Sequence, residues 1–295
     1  MHIDFSTAKG RSSYRFLVGA IAPRPIALVS TIDAAGQRNL APFSYFNLMS
    51  AAPPVAVFSV TQPADRAKKD TLTNVLASGE AVIHIVSHAI VERMNLASVA
   101  YPNGVDEFAR TGFTPVPSLQ VQPPRVAEAS IAFECTLIQS IPLGTARGAG
   151  TLVICQIRVM HIDDRVLTAD SMSIDPQALD AVARMGDDWY CRASGPAVFS
   201  LPRIHSDRAV GVDGLPAALH SCGEWSSEEL ARLALAEELP SSDEVNEFRS
   251  GHRLATRQTL AAIARQHLAH FDVRSALLAA ICASQAAAEQ SCVTI

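Results

Sequence analysis

Residues 26–47 read I-A-L-V-S-T-I-D-A-A-G-Q-R-N-L-A-P-F-S-Y-F-N. The first seven of them are rich in β-branched side chains and lead into D-A-A-G at 33–36, which predicts a strand that ends in a glycine turn. Residues 39–50 mix aromatic with small polar side chains and fit no single period. The Ala-Pro-Pro sequence at 52–54 interrupts the chain, and residues 55–60 predict another short strand. This alternation of strands and turns indicates a mainly β domain.

The chain beyond this stretch continues the pattern with few helices. Residues 70–78 predict a helix with Asp70 as its N-cap and Gly79 as its stop. Residues 81–86 predict a strand and residues 88–100 a helix. Two long strand-like segments follow at 130–141 and 151–162. Many strands with few helices between them predict a barrel of largely antiparallel strands, not a doubly wound parallel sheet.

The composition changes after Pro202. Apolar residues there recur at helical spacing, and Ser226 with Glu229 matches a capping box. Residues 254–271 and 274–289 predict two further helices. We therefore expect an α+β chain with two parts, a β-barrel domain at residues 1–205 and a helical C-terminal extension at residues 206–295.

The composition bounds the function classes. The chain has 295 residues, of which 48% are hydrophobic and 18% charged, so it can bury a sizeable core. The net charge of -5 argues against a nucleic-acid partner. No apolar run reaches the roughly 18 residues that a membrane span needs. The six cysteines form no C-x-x-C pair, and we expect reduced thiols in a cytoplasmic protein.

Several common catalytic and metal-binding motifs are absent from the sequence. Gly144, Gly148 and Gly150 cluster, but a strand follows them, so they do not form a G-x-G-x-x-G dinucleotide site. Neither a Walker A sequence nor a G-x-S-x-G elbow occurs. The histidine pairs 84/88 and 267/270 lack acidic or thiol partners at a telling spacing. We therefore expect structural histidines and no metal site.

A basic cluster precedes the helix predicted at residues 70–78. Arg66, Lys68 and Lys69 lie just before its first turn, and Thr71 adds a hydroxyl group. A helix N-terminus presents free N–H groups and a positive dipole end, so basic side chains beside it can hold a phosphate. From the local sequence alone, the same residues are more typical of a solvated charge cluster in which Asp70 caps the helix.

The aromatic segment at residues 39–47 is a second candidate for a cofactor site. A flavin ring needs a flat apolar slot and hydrogen-bond donors along its polar edge. Phe43, Tyr45 and Phe46 could form the walls of such a slot, and Ser44 and Asn47 could supply hydrogen bonds. The alternative is that these aromatic side chains form the core of the barrel.

Taken together, the motifs resemble the flavin reductase-like, FMN-binding split-barrel family. The resemblance covers roughly residues 14–203 and is carried in order by P-R-P-I-A-L-V-S-T-I-D at 23–33, N-L-A-P-F-S-Y-F-N at 39–47, the prolines at 53–54, K-D-T at 69–71 with Asn74, G-V-D-E-F at 104–108, P-P-R-V-A-E at 123–128 and A-R-M-G-D-D-W-Y at 183–190. This chain differs from the usual family sequence at two places. It has Cys155-Gln156-Ile157 where family members often have Gly-Glu-Val, and it has Arg-Met-Gly-Asp at residues 184–187 where the corresponding family segment more often ends in two glycines.

The resemblance implies a homodimer that holds FMN near the dimer interface. It implies that the segment from Pro42 to Asn47 lies along the flavin and that Tyr190 approaches the ring. The cofactor-binding residues that it implies are Pro42, Phe43, Ser44, Tyr45, Phe46 and Asn47 around the ring, Arg66, Lys69, Asp70 and Thr71 around the phosphate, and Tyr190. It identifies no catalytic residue.

The function that the resemblance implies is an NAD(P)H-dependent flavin reductase that transfers hydride to flavin. NADH or NADPH would be a transient reductant, and an oxygenase or another acceptor would be the electron-accepting partner. Two alternatives stay open: a non-enzymatic flavin-binding electron carrier or redox-responsive partner module, and an oxidase of a small amine. Hydride transfer to a flavin is cofactor chemistry, so the missing catalytic triad is compatible with an enzyme.

Overall fold

The computed structural model describes residues 2–5, 11–61, 69–102, 104–201 and 208–292. The chain folds into two compact units, Met1–Phe199 and Ser200–Ile295. Arg66 and Lys68 of the predicted phosphate site lie outside the described residues.

The first unit contains five short helices and twelve strands among its described residues. In chain order they are α1 (Arg11–Ala20), β1 (Arg24–Pro25), β2 (Ala27–Ile32), β3 (Arg38–Phe43), β4 (Phe46–Ala51), β5 (Pro54–Thr61), α2 (Asp70–Ser78), β6 (Glu80–Ile85), α3 (Val91–Leu96), α4 (Glu107–Thr111), β7 (Pro115–Val116), β8 (Arg125–Val126), β9 (Ile131–Pro142), β10 (Gly150–Ile162), α5 (Pro176–Leu179), β11 (Ala181–Arg184) and β12 (Tyr190–Ala193).

The main sheet has seven antiparallel strands in the order β3-β2-β6-β9-β10-β5-β4. β1, β11 and β12 form a separate three-stranded antiparallel sheet, and β7 pairs with β8. The predicted fold class, mainly β with added helices, is confirmed. The segment at 39–50 shows no period because it is two strands, β3 and β4, separated by Ser44 and Tyr45.

Buried side chains on both faces of β2 explain its continuous apolar sequence. Ala27 and Val29 belong to one core cluster with Phe58, whereas Leu28 belongs to a second cluster with Ile90 and Phe108. A strand that is buried on both faces needs no polar alternation. β2 pairs with the edge strand β3, and the end of β3 lies near α3.

Helix α2 begins and ends almost where the sequence predicts. Gly79 terminates it in the left-handed conformation at φ 74°, and its N–H donates to Val75 O at 2.9 Å. The N-cap, however, is Lys69 and not Asp70, which is the first helical residue.

The predicted helix at residues 88–100 is shorter than expected: a 3-10 turn at His88–Ile90 leads into α3, which ends at Leu96.

His84 joins three segments of the first unit as a buried neutral side chain. Its Nδ1 is 2.8 Å from Leu28 O, and its Nε2 accepts the N–H of Val126 at 2.9 Å. Burial lowers the pKa of His84 to about 4. Both ring nitrogens are therefore used in structural hydrogen bonds, and the described residues contain no group of three His, Cys, Asp or Glu side chains that could hold a metal ion.

The second unit is helical over its described residues. It contains α6 (Ala217–Ser221), α7 (Ser227–Leu233), α8 (Ser242–Gly251), α9 (Arg257–Ala269) and α10 (Val273–Cys292). The capping box of Ser226 and Glu229 forms as the sequence predicts. α9 and α10 pack closely because fully buried alanines such as Ala261, Ala264 and Ala280 lie between them. None of the described helices is both long enough and apolar enough to cross a membrane.

Candidate active site

A cavity of about 620 Å³ lies between α1, the end of β3 and the turn from β11 to β12 in the first unit. Apolar side chains and a high density of charged groups share its walls. The lining residues are Tyr14, Arg15, Val18, Arg24, Ile26, Pro42, Phe43, Ser44, Met94, Ser98, Arg184, Asp187, Asp188 and Tyr190. A cavity of this volume with a few convergent polar groups is typical of a small-molecule site.

A smaller cavity of about 150 Å³ adjoins it, because Pro42 and Ser98 line both. It lies at the N-terminus of α2. Its other lining residues are Asn39, Ala41, Lys69, Asp70, Thr71, Ala97, Val99, Ala100, Tyr101 and Glu107. The two cavities form one elongated site with a wide end and a narrow end.

Lys69 is a half-buried cation at the narrow end. Its Nζ lies 5.3 Å from the centre of the Phe43 ring, and burial lowers its pKa. Within the described residues, no carboxylate lies within ion-pair distance of that ammonium group. Because a desolvated cation is costly unless it is paired, this position favours an anionic ligand. The adjacent first turn of α2 adds backbone N–H groups and a positive dipole end.

Buried polar groups hold this helix end against the sheet. The Asn39 amide donates to Thr31 Oγ1 at 3.1 Å and to Thr71 Oγ1 at 2.9 Å, and the Asn74 amide donates to Thr31 Oγ1 at 3.1 Å. Since the Thr71 hydroxyl accepts from Asn39, its own O–H is left to donate. The network fixes the Thr71 hydroxyl beside Lys69 at the narrow end.

Glu107 places a buried carboxyl group in the same cavity. Its Oε2 accepts the N–H of Leu40 at 3.2 Å, and burial raises its pKa. The narrow end therefore combines the Lys69 cation with an acidic group whose charged form is disfavoured by burial.

Arg24 forms the buried part of the wide end. Only 8% of its surface is exposed. Its guanidinium donates to the carbonyl groups of Val18, Ile21 and Met185, which ties the last turn of α1 to the residue after β11. All three acceptors are neutral, and its Nε has no hydrogen-bond partner among the described residues. Within the described residues, no carboxylate forms an ion pair with Arg24, so the wide end carries a buried positive charge.

The turn from β11 to β12 supplies a second cation. The Arg184 guanidinium donates to Tyr190 Oη and to the backbone oxygen of Asp187, and it lies 4.6 Å from the centre of the Tyr190 ring. Asp187 adopts a positive φ of 47°, a conformation that favours glycine. Its carboxylate binds Arg15 of α1 in a bidentate pair, with Nε to Oδ1 at 2.9 Å.

The close approach of this turn to α1 favours glycine at residue 186. A Cβ atom on Gly186 would lie only 3.0 Å from the Cα of Gly19. Gly186 and the Arg15–Asp187 pair therefore allow α1 to lie across the wide end of the cavity.

The residues expected to bind the flavin fall into four groups in this structure. Pro42, Phe43, Ser44 and Tyr190 line the wide cavity, and Lys69, Asp70 and Thr71 line the narrow one. Three others line neither: Tyr45, Phe46 and Asn47. Arg66 lies outside the described residues.

The three residues that line neither cavity have other surroundings. Tyr45 hydrogen-bonds with Tyr14, and burial together with this bond raises its pKa to about 12. Phe46 packs against the barrel core, and the Asn47 side chain accepts the N–H of Leu48 at 2.8 Å. The barrel-core alternative thus describes Phe46, whereas Phe43 contributes both to the core and to the cavity wall.

Sequence reasoning missed most of the charged lining. Arg15 and Arg24 reach the cavity through α1 and β1, two elements that the periodicity of the sequence does not predict. Arg184, Asp187 and Asp188 belong to the motif at 183–190, but no role follows from their spacing in the sequence. The one feature of the sequence that could have pointed to this turn is Asp187-Asp188, two acidic residues at a position where turns commonly have glycine.

Comparison with known proteins agrees with this geometry. The profile of the flavin reductase like domain matches residues 19–175. An uncharacterized protein of Halalkalibacterium halodurans is 34% identical over 208 residues, which cover 70% of this chain and 100% of that protein. YwrF of Bacillus subtilis, also uncharacterized, is 34% identical over 184 residues, or 62% of this chain and 89% of that protein.

Three solved structures are similar as well. Nitrilotriacetate monooxygenase component B from Bacillus cereus is 30% identical with a TM-score of 0.63 and covers 68% of this chain and 98% of its own. The 2-nitrobenzoate 2-nitroreductase NbaA of Pseudomonas fluorescens is 29% identical with a TM-score of 0.61 and covers 68% of this chain and 96% of its own. A protein with a split barrel domain from Shewanella frigidimarina is 26% identical with a TM-score of 0.59 and covers 69% of this chain and 99% of its own. With the antiparallel sheet, these matches show that the chain has the split-barrel fold and belongs to the flavin reductase like family.

Proposed function

We propose that this protein binds FMN in the elongated site and is an NAD(P)H-dependent flavin reductase. The phosphate would lie at the N-terminus of α2, and the ring would lie in the wide cavity along Pro42, Phe43 and Ser44. The single observation that carries the proposal is Lys69, a half-buried cation without a carboxylate partner in the described part of the chain, at the narrow end of a site whose other end has room for a flat ring.

The chemistry of the donor set fits this cofactor. A dianionic phosphate matches an ammonium group, a hydroxyl O–H and helix N–H groups, which Lys69, Thr71 and the first turn of α2 supply. A conjugated ring matches the apolar walls of the wide cavity, with Ile26 and Met94 among them. When bound, FMN would accept a hydride from a dihydronicotinamide, which leaves as NAD(P)+, and would pass the two electrons to an acceptor.

The residues of the wide end would favour electron uptake at this position. Among the described residues, the hydrogen bonds of Arg24 and Arg184 go to neutral oxygen atoms, although the Asp187 carboxylate also interacts with Arg184. Positive charge in a desolvated cavity stabilises a ligand that becomes negative, so the two guanidinium groups would raise the electron affinity of a bound ring. No side chain is needed as a general base for this role.

We also propose a homodimer. β4 is the edge of the main sheet, and its Leu48 and Met49 side chains are 58% and 62% exposed. An apolar edge strand is a surface that natural proteins usually cover.

The similarity to a monooxygenase component supports an oxygenase as one class of electron-accepting partner. All residues that line the two cavities belong to the first unit, so we assign the flavin site to residues 1–205 and regard residues 206–295 as an extension.

Anaerobic titration of the FMN-loaded protein with NADH and with NADPH tests the proposed function. We expect one or both nicotinamides to bleach the flavin absorbance, and multiple turnovers to follow when free flavin or another acceptor is added. A protein that binds FMN but is reduced only by a protein donor would instead be an electron carrier. A chain that binds no flavin at all would contradict the proposal entirely.

A further inference from the structure

Helix α1 forms one wall of the wide cavity, yet it buries almost none of its own surface. Tyr14, Arg15 and Val18 are the residues of α1 that line the cavity. Among the residues of α1 whose side chains the structure describes, only Val18 is buried, and Phe16 and Leu17 are exposed. A short helix in a protein gains most of its stability from a packed apolar face. Apolar packing therefore does little to hold α1 in place, and its polar contacts decide where it lies.

The C-terminal end of α1 is firmly attached. The buried Arg24 guanidinium donates to the carbonyl groups of Val18 and Ile21 and, across the cavity wall, to that of Met185. Moving this end away would leave a buried cation without its acceptors, which is costly. The last turn of α1 is therefore a fixed point about which the rest of the helix can move.

The preceding turn of α1 is attached only through exposed or half-buried polar groups. Arg15 Nε lies 2.9 Å from Asp187 Oδ1, and the two side chains are 63% and 45% exposed. The neighbouring Tyr14 hydroxyl hydrogen-bonds with Tyr45. An ion pair at this exposure contributes little to stability and is screened by salt. This part of α1 can therefore leave the cavity at a low cost in free energy.

The charges at this end are compatible with two positions of the helix. The Asp187 carboxylate interacts with Arg184 of its own turn as well as with Arg15 of α1. When Arg15 moves away, Asp187 keeps a cation beside it, and Arg15 is already exposed enough to be hydrated. Opening therefore leaves neither charge both buried and unpaired.

We propose that α1 is a lid over the wide cavity, that the Arg15–Asp187 pair holds it closed, and that its opening admits and releases the flavin. The proposal rests on the proposed function, because it takes a flavin as the ligand of this cavity. A lid of this kind shifts the open and closed populations of the free and the flavin-loaded protein alike. The Arg15–Asp187 pair should therefore control the rates of binding and release more than the affinity.

Stopped-flow measurements of flavin fluorescence give the association and dissociation rate constants of FMN for the wild type, Arg15→Gln and Asp187→Asn. Asparagine tolerates the positive φ of residue 187. We expect each variant to raise both rate constants about two- to fivefold, the range for an exposed ion pair, with a smaller change in Kd. The double variant should be no faster than either single one, because the same pair is lost in all three.

Salt gives a second test that needs no variant of the lid. Riboflavin is uncharged, so salt acts on the pair within the protein and not on the ligand. Raising NaCl from about 0.01 M to about 1 M should speed riboflavin release from the wild type but not from Arg15→Gln. The matched control is Arg165→Gln, which removes an exposed arginine that is paired with Asp163 and lines neither cavity. It should behave as the wild type does.

The two rate constants separate a lid from a direct contact. Faster release with an unchanged association rate constant would show that Arg15 binds the flavin itself, and would overturn the proposal. Rate constants that neither the variants nor salt change, with FMN still bound, would contradict this inference alone. Absence of FMN binding in the wild type would contradict the proposed function and, with it, the lid.

Discussion

Replacing Lys69 by alanine should weaken FMN binding far more than riboflavin binding. The two ligands share the ring and the ribityl chain, and only FMN carries the phosphate. In the free protein the Lys69 ammonium lies 5.3 Å from the Phe43 ring and has a pKa lowered by burial, with no carboxylate partner in the described ranges. A phosphate would supply the missing counter-charge, so the lost interaction is of the charge-assisted kind.

The magnitude follows from that class of interaction. A hydrogen bond to a charged group contributes about 1.5–3 kcal/mol, which corresponds to about a 10- to 150-fold increase in the Kd for FMN. The cation–π contact with Phe43 exists without the ligand and is lost equally for both flavins, so it cancels in the comparison. Riboflavin affinity should change by less than about threefold, since no charge-assisted bond is lost.

Quenching of flavin fluorescence during titration of the apoprotein measures both dissociation constants. Lys69→Arg should retain most of the FMN affinity, because it keeps the charge. Arg165→Ala serves as the matched control, since it removes an exposed cation that is paired with Asp163 outside both cavities. If Lys69→Ala weakens FMN and riboflavin by the same factor, or weakens neither, Lys69 does not contact the phosphate and the proposed orientation of the cofactor is wrong.

Two other outcomes follow from the structure. Burial lowers the pKa of His84 to about 4, against an ordinary value of 6.5. As the pH falls from 6.5 to 4, the unfolded chain therefore takes up a proton that the folded chain does not, and the folded state loses stability. The advantage of the wild type over His84→Gln in chemical denaturation should therefore shrink by up to about 3 kcal/mol from pH 7 to pH 4, at about 1.4 kcal/mol per pH unit. A constant difference would show that folding does not lower the pKa of His84. The exposed Leu48 and Met49 predict that the wild type is a dimer by light scattering and that Met49→Lys is a monomer, whereas Met172→Lys, at an exposed position outside β4, stays dimeric. A wild-type monomer that still binds FMN tightly would exclude an interface at this edge.

The elements that the sequence predicts well are those that local interactions determine. The end of α2 depends on Gly79, and the start of α7 depends on the reciprocal bonds of Ser226 and Glu229, so each is decided within one turn of helix. The long strands β9 and β10 are recognisable because their apolar content extends over twelve and thirteen residues. By contrast, α1 has no acidic residue in its first turn and no basic residue in its last, and Arg24 caps its C-terminal carbonyl groups from the next element instead. Such a contact leaves no local signal.

The same distinction explains which part of the candidate site could be predicted. The narrow end lies at a helix N-terminus whose basic residues are adjacent in the chain, so the cluster at Lys69 is visible in the sequence. The wide end depends on Arg24 and Arg184, which are 160 residues apart in the chain and meet only because β1 pairs with β11. The register of that pairing places Arg24 directly opposite Arg184. Like charges opposite each other on two strands are unfavourable unless each has its own acceptors, and here each donates to neutral oxygen atoms. A net charge of -5 gives no hint of this local positive potential. Because the Asp187 carboxylate that interacts with Arg184 is paired with Arg15 of α1, the charge balance of the wide end is set by contacts between distant elements, and no local spacing in the sequence reveals it.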